Sequence, residues 1–364
     1  MKKPGPGSAK RARAFLLGGL LAGLLTGTAP AATLLVSDPD NRLIEFIDTV
    51  NGQRRSVAAT GEGLRMLAVS PDGRLALAGN YGSVKVAGSS VQVLDVAGAR
   101  VRATISIAPF QRPSAMQWLP DGQRALIAVQ GAKSLVMIDV PSGRIVASFG
   151  PEASSSRQFA ISRDGHTVYL GDPAGGEVRR IDLASGKELA ISDTSAEAQS
   201  IAISADGGKL WVIDRGEDTI KVLEGGNLQL IAGLDAGNLP MGVALTPNGH
   251  YALVSNALSA DIAVYDTRTL EQTQLFSTRS VASGAAAPRD EADKFSDVKR
   301  MGQISIPVGI IAAPDGLSAF VMNNFSGEII QFDIFTGAPL HIFQGSRRPG
   351  GLAYSPISAN GKAQ

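Results

Sequence analysis

Cationic side chains recur at corresponding places in the sequence and suggest anion binding. Guanidinium groups offer planar sets of N–H donors that match carboxylate and phosphate oxygens. If the apolar segments that follow them converge, Arg65, Arg112, Arg157 and Arg348, with Arg347 adjoining, would form a cationic ring for a small anionic ligand. The alternative is that each is solvated or paired with Glu62, Asp193 or Glu197 in a neighbouring loop, since exposed ion pairs are common. The arginines at or just before an apolar segment are Arg65, Arg112, Arg157, Arg347 and Arg348.

Other residue types point away from catalysis and metal binding. Cysteine is absent, which excludes thiolate metal sites, cysteine nucleophiles and covalently attached c-type haem. His166, His250 and His341 lie in different segments, whereas the ligands of a metal must converge within a few ångströms. No Ser/His/Asp set can be placed on one face. We therefore predict no catalytic residue, no metal site and no cofactor.

Two kinds of turn alternate along the chain and define the elements that carry these residues. One is a Pro/Asp/Gly turn before an apolar strand, such as "SPDG" at 70–73 and "TPNG" at 246–249. The other follows an acid, and its acids are Asp48, Asp95, Asp139, Asp182, Glu224, Asp266 and Asp333. Successive acids are 42 to 47 residues apart, except for a last step of 67. This period, with two hairpins in each repeat, is typical of the four-stranded blade of a β-propeller.

The first and last strands predict a closed ring. The chain begins in mid-blade with "TLLVSD" and ends with "PGGLAYSP", an innermost strand without a blade of its own. Pairing the two completes a seventh blade and removes exposed sheet edges. We therefore predict an all-β, seven-bladed β-propeller over residues 32–356, with four-stranded antiparallel blades closed by the C-terminal innermost strand. Residues 279–306 would be an insertion loop, either an ordered lid or disordered, and 357–364 a tail.

The stretch "PMGVALTPNGHYALVSNALSADIAVYDTRTLE" resembles the YVTN repeat of seven-bladed propellers, a group that includes YncE-like and surface-layer-type proteins. The positions that match the motif are Pro240, Gly242, Pro247, Gly249, Asn256 and Asp266, then Pro307, Gly309, Pro314, Gly316, Asn323 and Asp333. The resemblance implies the propeller fold but not an activity, because activities in this group vary. In such propellers the loops after each YVTN strand lie on the ligand-accessible face. Asn256 and Asn324 therefore join the arginines as candidate ligand-binding residues.

The N-terminus predicts export. Met1–Arg13 carries five basic residues and no acid, an apolar run follows, and Ala29-Pro30-Ala31 fits a cleavage site. We interpret 1–31 as a Sec-type signal peptide, whose apolar run is too short to span a membrane. The protein would be periplasmic or secreted, without a membrane span. Losing the leader leaves 29 of the 34 basic residues against 33 acidic ones, and this net charge of −4 disfavours binding to nucleic acid.

The residues favour a binding function over an enzymatic one. We expect an exported, monomeric, non-catalytic binding or scaffold propeller whose irregular loops engage a small anionic ligand, a peptide or an exported partner protein. One alternative is a lactonase-like hydrolase that uses acids such as Glu62, Asp172, Asp214 and Glu217. Another is an accessory subunit of a periplasmic quinoprotein or cytochrome system.

Overall fold

The computed structural model describes residues 31–59, 61–132, 134–150, 158–172, 176–194, 198–278, 306–324, 326–346 and 348–359. The predicted leader and insertion loop lie outside this part of the chain, except for their last residues, Ala31 and Ile306. Within the described ranges, no helix is long and apolar enough to cross a membrane.

Twenty-eight strands form seven four-stranded antiparallel sheets, as predicted. Blade 1 contains β1 (Thr33–Asp38), β2 (Leu43–Asp48), β3 (Arg54–Ala58) and the last strand, β28 (Gly351–Ser355). Blade 2 contains β4 (Leu64–Val69), β5 (Leu75–Gly82), β6 (Ala87–Asp95) and β7 (Arg100–Ser106). Blade 3 contains β8 (Pro113–Trp118), β9 (Arg124–Val129), β10 (Ser134–Asp139) and β11 (Arg144–Phe149). Blade 4 contains β12 (Phe159–Ile161), β13 (Thr167–Asp172), β14 (Glu177–Asp182) and β15 (Glu188–Asp193).

The remaining blades repeat this order. Blade 5 contains β16 (Ala198–Ile203), β17 (Lys209–Asp214), β18 (Thr219–Glu224) and β19 (Leu230–Asp235). Blade 6 contains β20 (Pro240–Leu245), β21 (Tyr251–Asn256), β22 (Asp261–Asp266) and β23 (Gln272–Ser277). Blade 7 contains β24 (Ile306–Ala312), β25 (Ser318–Asn324), β26 (Glu328–Asp333) and β27 (Pro339–Gln344).

The core lies between consecutive blades. The second strand of a blade is covered on both faces, so it reads as a continuous apolar run, such as "LWVI" in β17, whose four side chains are fully buried. Trp211 packs against Tyr265 of blade 6 at 6.1 Å between ring centroids. Trp118 Nε1 donates to the carbonyl of Ala68 at 3.0 Å, which joins the innermost strands of blades 3 and 2. Packing between blades thus fixes where each innermost strand begins.

The ring closes as the sequence predicts. Strand β28 pairs antiparallel with β1, from Thr33↔Ser355 to Ser37↔Gly351. Ser355 Oγ also donates to the carbonyl of Gly73 at 2.6 Å, which connects this strand to blade 2. A Cβ at Gly351 would lie 2.6 Å from the carbonyl oxygen of Arg65, so only glycine fits where β28 meets β4. The predicted tail is attached through Ala359, whose N–H donates to Thr33 Oγ1 at 2.9 Å.

Candidate anion-binding site

One face of the propeller carries two kinds of irregular loop. Because the strands of each blade alternate in direction, the loops that lead into the innermost strands lie on the same face as those joining second to third strands. We call this the irregular face. The opposite face carries the regular turns identified from the sequence. Loops on a rigid scaffold are where binding residues concentrate, so a binding site is expected on the irregular face.

Bulges mark the inner rim of this face. In β4 the pairing jumps from Leu64↔Asn80 to Leu67↔Ala78, and the innermost strands of four other blades have a similar jump at the same place. A bulge re-aims the side chain of the extra residue and is common beside functional sites. We call the residues that the strand pairing skips the mouth positions: Arg65 and Met66 in β4, Ser114 in β8, Gln199 in β16, Met241 in β20 and Val308 in β24.

Two of the predicted arginines come together at one tyrosine. The Cζ atoms of Arg65 and Arg112 lie 4.5 Å and 5.2 Å from the ring centroid of Tyr81, so these two carbons are less than 10 Å apart. Each contact is a cation–π interaction, worth about 0.5–1 kcal/mol at an exposed site. The Tyr81 hydroxyl donates to Gln130 Oε1 at 2.5 Å. A ring fixed by this hydrogen bond therefore holds positive charges from blades 2 and 3 near each other.

The backbone of Arg112 is firmly positioned. Its φ is 59°, a left-handed conformation that costs a residue other than glycine roughly 1–2 kcal/mol and often marks ligand sites. Its N–H donates to the carbonyl of Gly88 at 2.8 Å, and its own carbonyl accepts from the N–H of Gln130 at 3.1 Å. Its Nη2 donates to the carbonyl of Ser83 at 3.2 Å. Backbone bonds thus hold the main chain of Arg112, and one hydrogen bond restrains its guanidinium, for whose other N–H groups no acceptor is seen among the described residues.

Neither guanidinium is neutralised by a carboxylate of the described residues. Glu62, a partner considered from the sequence, accepts instead from Arg42 Nη2. Asp193 belongs to blade 4, and Glu197 lies outside the described ranges. Two like charges less than 10 Å apart repel by more than about 0.4 kcal/mol in water, and by more still at a protein surface. A bound anion would relieve this repulsion.

The remaining predicted site residues have different surroundings. Arg348 is exposed in the loop that leads to β28, and no contact of its side chain with Arg65 or Arg112 is seen. Arg157 and Arg347 lie outside the described residues. The cationic ring of four, with Arg347 adjoining, therefore stays a prediction, and the described residues show the contacts of Arg65 and Arg112 with Tyr81.

The two asparagines lie at strand ends. Asn256 is fully buried, and its Nδ2 donates to Asp261 Oδ1 at 2.7 Å, which ties the ends of β21 and β22. The loop above passes so closely that a Cβ at Gly237 would lie 2.6 Å from Asn256 Nδ2. Asn324 is half-buried at the end of β25. The geometry gives Asn256 a structural role, and ligand contact by either asparagine stays a prediction.

The acids considered for catalysis do not form one set. Asp214 is fully buried and lies 3.2 Å from Lys221 Nζ, which is also 3.4 Å from Glu217 and donates to the carbonyl of Thr194 at 2.7 Å. Glu62, in the loop before β4, is paired with Arg42, and Asp172 ends β13 of blade 4. In the part of the chain that the structure describes, no three His, Asp or Glu side chains are grouped to hold a metal ion.

A cavity of about 90 Å³ lies elsewhere, between blades 6 and 7. Its walls are mainly apolar, with Phe276, Val321 and Phe332 among them, and Thr278 and Glu328 add polar groups. Blade 1 separates blade 7 from blade 2 around the ring. The cavity is therefore distinct from the arginine pair.

The comparisons with known proteins agree with the fold. Residues 167–286 match a family model described as "Lactonase, 7-bladed beta-propeller". A search of curated proteins found no match. Among solved structures, Kuenenia stuttgartiensis hydrazine synthase is 20% identical, with a TM-score of 0.65 over 89% of this chain and 100% of that chain. A functionally unknown protein from Desulfotomaculum acetoxidans DSM 771 is 16% identical, with a TM-score of 0.67 over 90% and 99%. At these identities the similarity shows the fold alone.

Proposed function

We propose that this protein is an exported, non-catalytic binding propeller that engages a small anionic ligand at the inner rim of its irregular face. The observation that supports the proposal is the pair Arg65 and Arg112, held against Tyr81 and unpaired with any described carboxylate. The leader-like N-terminus supports a periplasmic or secreted location. In this proposal the protein captures or presents its ligand and does not transform it.

The two arginines have complementary parts in binding. Arg112 is fixed through Gly88, Ser83 and Gln130, so little side-chain freedom is lost when it binds an oxyanion. Arg65 is exposed, and its contact with the Tyr81 ring keeps it near Arg112, so it can donate to the same ligand from blade 2. An anion between them accepts charge-assisted hydrogen bonds from both blades.

Thermal denaturation with and without inorganic phosphate and short carboxylic acids tests this proposal. We expect each anion to raise the Tm, and salt to weaken the effect because it screens exposed charges. Arg65→Gln and Arg112→Gln should remove the shift while the free protein still folds. Arg268→Gln, on a turn of the opposite face, is the matched control and should leave it intact. Equal shifts in all three variants would refute the site.

The second candidate is lactone hydrolysis, and the match of residues 167–286 to the lactonase family model favours it. Hydrolysis opens the ester and yields a hydroxy acid, and the same arginine pair would bind that carboxylate. Titration of the acid released from added lactones tests this function. Release above the uncatalysed rate, abolished by Asp172→Asn or Glu217→Gln within the matched segment, would establish an enzyme. A lack of turnover together with anion binding would favour the first proposal.

A further inference from the structure

We propose that the ligand of this site is an amphipathic acid, with one anionic head on the two arginines and an apolar body beside them. The inference rests on the proposed anion site and names the class of its ligand. It is carried by the apolar side chains that border the arginine pair, both along the chain and across the neighbouring hairpin.

Partly exposed apolar side chains adjoin both arginines. Met66 follows Arg65 within the bulge of β4, and Phe110 lies two residues before Arg112. Met66 and Phe110 are both half-buried, and both pack against the same apolar cluster between blades 2 and 3. Their covered sides are anchored in the core while part of each stays accessible. Each therefore offers an anchored, partly exposed apolar side chain close in sequence to one of the two arginines.

A projecting hairpin adds a second apolar surface. Strands β5 and β6 continue past the usual strand end, as far as the pair Gly82↔Ala87. At the tip, Val84 is 98% exposed and Val86 68% exposed, more than any other large hydrophobic residue of the described chain. The carbonyl of Ser83, next to Val84, accepts the hydrogen bond from Arg112. The tip thus stands beside the cationic pair, where an apolar ligand body would cover it.

The mouth positions of other blades argue against a second charge on the ligand. Gln199, Met241 and Val308 are neutral and half-buried, and Met241 and Val308 are apolar, while Ser114 is buried and donates to the carbonyl of Ala128 at 3.2 Å. A polyanion would place its further charges against these residues without partners, which is unfavourable. At blades 5, 6 and 7, one charged head and an uncharged body therefore fit the described rim better.

Isothermal titration with straight-chain acids tests the inference. Across acetate, butanoate, hexanoate and octanoate, we expect affinity to rise about two- to fourfold per added CH₂, as for partial to full burial of a methylene. Octyl phosphate beside octanoate shows whether the head is a phosphate or a carboxylate. Met66→Gln with Phe110→Ser should flatten the dependence on chain length and leave acetate binding unchanged. Met241→Gln, at a mouth position of blade 6, is the control and should keep the full dependence.

The outcomes separate this inference from the function on which it rests. If acetate and phosphate bind but affinity does not depend on chain length, the amphipathic class is wrong and the anion site stands. If none of these acids binds, the proposed function itself fails. A dependence on length that survives in the Arg65→Gln/Arg112→Gln double variant would place the apolar body elsewhere, such as the cavity between blades 6 and 7, and would overturn the inference.

Discussion

At the residue scale, Tyr81 determines the geometry of the candidate site. It contributes no charge, yet its ring lies within 5.2 Å of both guanidinium carbons and its hydroxyl is bound to Gln130. The ring therefore restricts two long side chains that would otherwise move independently. We infer that Tyr81 is a positioning residue whose effect on a ligand passes through Arg65 and Arg112.

Two replacements of Tyr81 distinguish the contribution of its ring to anion binding from that of its hydroxyl. Tyr81→Leu should weaken anion binding about two- to fivefold for each guanidinium released, because a cation–π contact at an exposed site is worth about 0.5–1 kcal/mol. Tyr81→Phe keeps the ring and should bind nearly as well as the unaltered protein. Titration calorimetry gives both dissociation constants. Equal losses in the two variants would mean that the hydrogen bond to Gln130, and not the ring, is what matters.

The sequence could predict that Arg65 and Arg112 lie near each other, but not that both contact Tyr81. Arg65 and Arg112 precede corresponding apolar segments, so the repeat alone places them near the starts of neighbouring innermost strands. The contact with Tyr81 depends on a hairpin that extends beyond the repeat, and periodicity does not reveal such an extension. For Asn256, the motif predicted the position at a strand end but not the burial of the side chain. That burial results from the loop at Gly237, which passes close to the asparagine.

At the element scale, short side chains stabilise the turns on the face opposite the irregular face by hydrogen bonding. In blades 4 and 5, Ser162 and Ser204 donate to Asp164 and Asp206 at 2.5 Å. These hydroxyl bonds, followed by backbone N–H bonds, lower the pKa of both carboxyl groups below the usual 3.8. The sequence identified these turns correctly, since Asp and Gly at fixed spacing are sufficient to specify them.

Acidic pH should lower the stability of the folded protein, because it protonates the carboxyl groups of these turns. A carboxyl group whose pKa is lowered by folding contributes stability that is complete above its unfolded pKa and is lost as the pH falls through its folded pKa. We therefore expect the Tm to be nearly constant from about pH 7 to 5 and to fall below about pH 4. The double variant Ser162→Ala/Ser204→Ala should melt lower at neutral pH, and the gap should narrow in acid. The control Ser56→Ala, on the outer strand β3, should follow the unaltered protein. A gap that stays constant with pH would contradict this account of the turns.

At the scale of the whole molecule, closure of the ring by β28 determines where Arg65 lies on the inner rim. Strand β28 joins blade 1 to blade 2 through Ser355 and Gly73, and its glycine at 351 lets it lie against Arg65. The position of Arg65 therefore depends on a strand that the chain reaches only at its end. The count of turns predicted this closure, whereas the residues at the mouth positions could be identified only once the bulges were located.

The most direct test of the proposed site is the crystal structure of the protein soaked with 4-iodobenzoate. This ligand is a monocarboxylate whose iodine can be located by anomalous scattering. The account predicts one principal iodine peak beside Met66 and Phe110, with the carboxylate between Arg65 and Arg112. It also predicts that the peak disappears in Arg65→Gln/Arg112→Gln crystals and persists in Arg268→Gln crystals. A principal peak in the cavity between blades 6 and 7, or a carboxylate bound away from both arginines, would contradict it.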